Sequence, residues 1–270
     1  MAGAARRGGA SVGSRRSRSH GRQGDARPGR RGVAAVAVGR WTAVGAGVGL
    51  TVWVGYGWGA QCVLPLLAVR RGARGDGRVA LTFDDGPDPE ATPRLLELLA
   101  AGGVRATFFL IGDRAARYPD VVRAMVAQGH EVGNHTWHHR NAWFLSPRRT
   151  ADEILGGARV LADITGTAPS LYRPPWGIVN ATALQVARAF GLTTVLWSLQ
   201  PEGLRPRSPA EQLRYCRRRL HGGAILDLHD APGLPGAPER LLRLVPGLLA
   251  LLADRGFSAV PVSALLGRSA

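Results

Sequence analysis

The sequence predicts an α/β fold, a distorted and incomplete (β/α) barrel of about seven units preceded by a single transmembrane helix. Three observations carry that expectation. From Arg78 onward, short apolar runs alternate with segments of helical spacing, the rhythm of a parallel sheet with crossover helices. Ionisable residues fall just past the ends of several of those runs, where a barrel of this kind gathers its chemistry. Ahead of them stand 29 consecutive residues, 41–69, without a charged side chain.

In chain order, residues 1–40 come first, with ten Arg against one acid, Asp25. Arg, Gly, Ser and Ala cannot bury enough apolar surface to fold, so 1–31 is expected to be disordered. The net charge of +16 belongs chiefly to this tail, since from residue 75 onward 22 Arg face 18 acids. A nucleic-acid surface would interleave aromatics with its basic stripe. The tail has none before Trp41, and no nucleic-acid partner is expected. A helix rising ~1.5 Å per residue needs about 20 apolar residues to cross ~30 Å of hydrocarbon. The run 41–69 is therefore long enough to anchor the chain in a membrane, and too long for the apolar core of a signal peptide. The Arg-rich tail puts the N-terminus in the cytoplasm and the C-terminal domain outside it. Residues 70–77 read as a linker, 78–263 as the domain and 264–270 as a tail. Only two cysteines occur, Cys62 and Cys216, so neither a disulfide framework nor a cysteine metal site is available.

Within the domain, 79–83 (VALTF), 105–110 (RATFFL), 130–133 (HEVG), 193–198 (TTVLWS), 224–228 (AILDL) and 257–262 (FSAVPV) read as buried strands. A further short strand ends near Tyr172. Between them Val121, Val122, Met125 and Val126 form one helical stripe, and Ala183, Ala187 and Phe190 another, closed by Gly191. Ser208-Pro209-Ala210-Glu211 has the residues of a capping box, with Pro at the first helical position.

The first strand runs into TFDDGPDP, residues 82–89. Two adjacent carboxylates leaving a buried strand, Asp84 and Asp85, are costly unless something pairs with them; this points to a metal and base role, while Asp88 reads as a helix cap. The third strand leads to GNHTWHHRN, residues 133–141. His135 and His139 are four apart, a spacing that on a helical turn sets two imidazoles on one face for a shared metal. With a carboxylate from another strand end they make a two-His, one-carboxylate site with open positions. His138 should point elsewhere, and His130 and His221 read as structural or exposed. Trp137 and Trp176 are candidates to stack on a ring of a bound ligand.

TFDDGP, the run His135-Thr136-Trp137-His138-His139, RPPWG from Arg173 and the late Leu228-His229-Asp230 stand in this order within about residues 78–263. Together they resemble the signature series of the NodB-homology polysaccharide deacetylases, carbohydrate esterase family four. The resemblance implies that Asp84 is the general base for the attacking water and that Asp85, His135 and His139 are ligands of one divalent metal ion, zinc foremost, with cobalt or another ion as alternatives. It implies further that Arg173 holds the base carboxylate, that Trp176 forms the site wall and offers a backbone N–H to the oxyanion, and that His229 protonates the leaving amine. The implied activity is removal of N-acetyl groups from N-acetylated amino sugars, in peptidoglycan or a chitin-like oligosaccharide. The glycan is then the partner, and the membrane is reached through 41–69. Nothing in the sequence indicates an oligomeric state.

Two positions depart from that series. In the family it resembles, an Asp three residues beyond a Trp tunes the catalytic His; here Gln200 follows Trp197 at that spacing, and Leu204 stands where a further Trp is usual. Asp227 occupies a place that is usually apolar and lines the acetyl pocket. Residues two apart in a strand share a face, so Asp227 is expected to pair with His229 in place of the missing Asp. These departures keep two alternatives open. One is removal of a formyl or other acyl group from a lipid-linked sugar; the other is an inactive carbohydrate-binding member of the fold.

Overall fold

The computed structural model describes residues 47–75, 77–203, 205–233 and 236–268. The expected disordered tail, the first residues of the apolar stretch (41–46), Leu204 and the last two residues of the C-terminal tail lie outside them. Residues 49–270 form one compact unit, which holds the sheet and its helices.

Seven parallel strands form the sheet: β1 (Arg78–Asp84), β2 (Thr107–Leu110), β3 (Glu131–Asn134), β4 (Leu171–Tyr172), β5 (Thr193–Thr194), β6 (Ile225–His229) and β7 (Ser258–Ala259). Their order is β5-β4-β3-β2-β1-β6, with β7 pairing β1. Just past β5, the amides of Ser198 and Leu199 bond the Ile225 carbonyl, and Asp227 N–H returns to the Leu199 carbonyl. These bonds tie the chain beyond one end of the sheet to the other, giving the half-barrel α/β fold that the alternation predicts. The runs at 193–198 and 257–262 are longer than the strands they yield, because most of each continues as irregular backbone.

Side-chain alternation sorts the sheet into two faces. Val79, Leu81 and Phe83 of β1, Phe108 and Leu110 of β2, and Leu226 and Leu228 of β6 are buried in one apolar cluster with residues of the covering helices. Among those helices are α2 (Ala91–Ala101), whose start is capped by Asp88 Oδ1 accepting from the amides of Glu90 and Ala91, and the long C-terminal helix Ala237–Asp254. The other face carries Ala80, Thr82 and Asp84 in register with Ile225, Asp227 and His229. Going up the strands, that inner face passes from apolar to polar to ionisable, so the ionisable end lies at the C-terminal edge of the sheet.

The apolar stretch forms helix α1, Gly47–Leu67, long and apolar enough to cross a membrane by length and composition; a π-helical turn at Gly55–Gly59 interrupts it. One face of α1 packs on the domain. Ala60 and Leu64 are buried with Tyr172, Val179, Ala183, Ala187 and Leu192, and a Cβ on Gly57 would sit 3.3 Å from the Trp143 ring. Val52, Trp58, Val63, Leu66 and Leu67 on the remaining surface are exposed. Directly after α1, Val69 bridges Val195 and Arg71 bridges Ala224, so part of the stretch read as a linker is bonded to the domain. The capping box at Ser208–Glu211 forms as expected. In the stripe of 183, 187 and 190, Phe190 is exposed rather than buried, because the helix carrying it ends at Ala189.

Candidate active site

Arg173 follows β4 and is fully buried. Its guanidinium lies 4.1 Å from the Phe109 ring centroid and donates through Nη1 to Asp84 Oδ1 and Thr82 Oγ1, both at 2.7 Å. Nε and Nη2 donate to the carbonyls of Val195 and Leu196. A buried cation is tolerated only when it is paired and hydrogen-bonded in this way. Only Oδ1 of Asp84 is held by Arg173; Oδ2 lies 3.8 Å from His135 Nε2.

Asp85, at the end of β1, has a positive φ of 72°, a conformation unfavourable for a non-glycine residue. Its Oδ1 lies 3.5 Å from His135 Nε2 and 3.2 Å from His139 Nε2, and one ligand atom from each of the three residues falls within 4.8 Å of the others. The two imidazoles do not share a helical turn, as their spacing had suggested. Thr136 and His139 both take positive φ. The loop is folded by Asn134, whose Oδ1 accepts from Thr136 N–H and whose Nδ2 donates to the Ile154 carbonyl, and by Thr136 Oγ1 accepting from His139 N–H. A spacing of four thus reaches one point through a local loop rather than through helical periodicity. His135 Nδ1 donates to the Arg173 carbonyl at 2.7 Å, which turns the Nε2 lone pair inward, the arrangement of a metal-ligating histidine.

Asp85 Oδ1 is buried without a hydrogen-bond partner among the described residues. An orphaned carboxylate oxygen beside two inward imidazole nitrogens fits a divalent cation. Burial would lower His135, but Asp84 and Asp85 outweigh it and raise it above the ordinary imidazole value. Burial pushes the Asp85 carboxyl up, but His135, His139 and His229 outweigh it and hold it well below the usual carboxylate range. Burial, aided by His135, lowers His139 to about 4, leaving it neutral at pH 7, as a ligand must be.

His229 ends β6 and is in register with Asp84 across the site. Its Nδ1 meets Glu202 Oε2 at 2.5 Å, and Glu202 is buried. The expected pairing with Asp227 does not occur: Asp227 Oδ2 accepts from Gln200 Nε2 at 3.0 Å, and its Oδ1 lies 3.5 Å from Arg173 Nη1. Asp227 and His229 share a face, but two residues along a strand are ~6.6 Å apart, so the Asp227 carboxylate sits one step deeper than the imidazole. Burial alone would lower His229; Glu202, then Asp227 and Asp84, raise its pKa well above the ordinary value. Burial and the nearby Asp84 push Asp227 up to about 7. Glu202 is the residue that sequence reasoning missed. Its signal was an acid two places beyond Gln200, in the stretch where a carboxylate was already being sought.

Asp84, Asp85, His135, His139 and His229 line a cavity of about 750 Å³, walled further by Trp176, Trp197, Gln200 and Asp227. Trp176 is 57% exposed, takes φ 54°, and stands with its ring centroid 4.3 Å from that of His139. Trp137 does not line this cavity. It packs near Gly112 and Gly156 and borders a separate depression with His138 and Glu153, because its side chain leaves the loop on the side opposite the metal-ligand cluster. His138, expected to point elsewhere, bonds Glu153 Oε1 but also borders the cavity. His130 is buried and accepts from Ala106 N–H.

A family profile described as polysaccharide deacetylase matches residues 71–195. A chitooligosaccharide deacetylase from Bradyrhizobium sp. (strain ANU 289) is 36% identical over 216 residues, covering 75% of this chain and 98% of that protein. A peptidoglycan-N-acetylglucosamine deacetylase from Bacillus cereus is 35% identical over 192 residues, covering 70% and 87%. Among solved structures, the Bc1960 peptidoglycan N-acetylglucosamine deacetylase, in complex with a substituted N-oxidanyl-benzamide, superposes with a TM-score of 0.71 at 28% identity. That match covers 75% of this chain and 94% of the other.

Proposed function

Because this chain belongs to the polysaccharide deacetylase family, carbohydrate esterase family four, we propose that the cavity at the C-terminal edge of the sheet is where it removes N-acetyl groups from amino sugars. The chain is a carbohydrate N-deacetylase, like the relatives that act on chitooligosaccharide and peptidoglycan N-acetylglucosamine. Asp85, His135 and His139 hold the divalent ion, which we take to be zinc; when bound it supplies a Lewis acid for the amide carbonyl and the attacking water. Asp84, steered by Arg173, accepts the proton of that water through the oxygen Arg173 leaves free. His229, kept protonated by Glu202, donates a proton to the departing amine. The Trp176 ring walls the cavity beside His139, in position to face a sugar ring. The observation that carries this reading is the juxtaposition of the three ligand atoms with a held carboxylate on one side and a carboxylate-paired imidazole on the other.

The test is acetate release by the full chain in detergent or nanodiscs, from N-acetylglucosamine oligomers and from peptidoglycan, with and without chelator and beside Asp84→Asn. Release abolished by both chelator and substitution is expected. Undiminished release in either case would overturn the assignment.

We read α1 and the uncharged residues before it as a membrane anchor, with the Arg-rich N-terminus cytoplasmic and the domain outside. Trp53–Leu64 contributes to packing on the domain, so one side of the helix faces the domain and its exposed apolar side is left for lipid. Peptidoglycan is the substrate that this setting favours. The part-buried Gln200–Asp227 pair on the cavity wall favours one second reading, a formyl or other small acyl group on a lipid-linked sugar, which formate release from such a substrate would reveal.

A further inference from the structure

Gln61 stands in the middle of an apolar helix, where an amide side chain is costly unless both its ends are satisfied. Both are, by backbone of the domain: Nε2 donates to the Gly177 carbonyl at 2.8 Å, and Oε1 accepts from Val179 N–H at 3.0 Å. These groups follow immediately after Trp176, the cavity-wall residue with positive φ. The same turn is gripped again two steps away. Trp143 Nε1 donates to the Val179 carbonyl, and Trp53 Nε1 of α1 donates to the Trp143 carbonyl.

Beyond the helix, the turn 175–177 is closed by its own bonds from Gly177 and Ile178 to Pro174 and Pro175. Those bonds shape the turn but do not fasten it to the rest of the molecule. Trp143 holds it at the Val179 carbonyl, and Gln61 holds both the Gly177 carbonyl and the Val179 amide from α1, 116 residues away in sequence from Gly177.

We propose that Gln61 is a positioning residue for the active site: its amide clamps the Trp176 turn from α1 and thereby sets the Trp176 ring over His139 at the cavity mouth. The helix is then a piece of the active-site wall as well as an anchor. The consequence for catalysis rests on the deacetylase reading; the clamp itself does not. A ring displaced by even about 1 Å weakens substrate positioning out of proportion to the stability lost.

The experiment compares the full chain with Gln61→Ala, Gln61→Glu, which keeps the acceptor and loses the donor, and Leu64→Ala, which removes packing from the same helix face. Amide hydrogen exchange over residues 174–180 is measured in metal-free protein, and kcat and KM for an N-acetylglucosamine oligomer in metal-loaded protein. Gln61→Ala is expected to speed exchange at Val179 and raise KM about tenfold with kcat within about threefold, Gln61→Glu to do so less, and Leu64→Ala to lower Tm without that KM change. Unchanged exchange at Val179, an unchanged KM, or the same KM shift in Leu64→Ala would each overturn the proposal. Failure of the deacetylase reading is seen separately, as activity that survives Asp84→Asn, and leaves the exchange comparison standing.

Discussion

At the scale of single residues, the decisive contact is Glu202 with His229. A general acid is useful only while protonated, and Glu202 is the largest influence raising the His229 pKa against its burial. Activity should therefore persist through neutral pH and fall only as pH climbs through that raised value. Glu202→Gln removes the carboxylate, so the basic limb of the kcat/KM–pH profile is expected to move to lower pH, with a loss of about 10–100-fold near pH 8. Asp227→Asn should matter far less, within about fivefold, since Asn mimics the protonated form that burial and Asp84 favour at Asp227. A profile that moved for Asp227→Asn and not for Glu202→Gln would reverse the two roles. The ionisable set at the strand ends was legible in the sequence because those residue types are rare after buried strands and recur at several ends. Which acid reaches His229 was not legible, since Glu202 arrives from an irregular stretch whose path no periodicity encodes.

At the scale of elements, the apolar runs located the strands, including the two-residue β4 ending at Tyr172 and β5 at the start of 193–198, but overstated length where only two residues pair. The His loop depends on a close approach from the helix Pro147–Thr165. A Cβ on Gly157 of that helix would collide with the side-chain oxygen of Asn134 and come within 3.0 Å of the Thr136 backbone. Gly157→Ala should cost about 2–3 kcal/mol in unfolding experiments and weaken zinc binding in titration, because Asn134 and Thr136 fold the loop that carries both imidazoles. Stability lost with zinc affinity intact would separate the helix from the site. Helix α1 was readable as apolar and long. Its docked side was not, because nothing in the apolar pattern marks Tyr56 and Gln61 as contacts to Thr182, Gly177 and Val179.

For the whole molecule, ligand binding and folding are linked, since the three ligand atoms converge only in the folded chain. Saturating zinc at about 100 times its Kd adds about 2.7 kcal/mol, and chelator should lower Tm by about 5–10 °C. Asp85→Ala should abolish that difference, while equal chelator shifts in wild type and Asp85→Ala would place the ion elsewhere. The join between anchor and barrel bears on where the enzyme can work. Eight residues of free chain would let a domain wander about 16 Å from its tether, yet Val69 and Arg71 are already bridged to the domain directly after the helix ends at Leu67. The stretch after Leu67 is therefore no free leash. In the membrane setting proposed above, the domain stays beside the helix it is docked on, and the glycan must come to it.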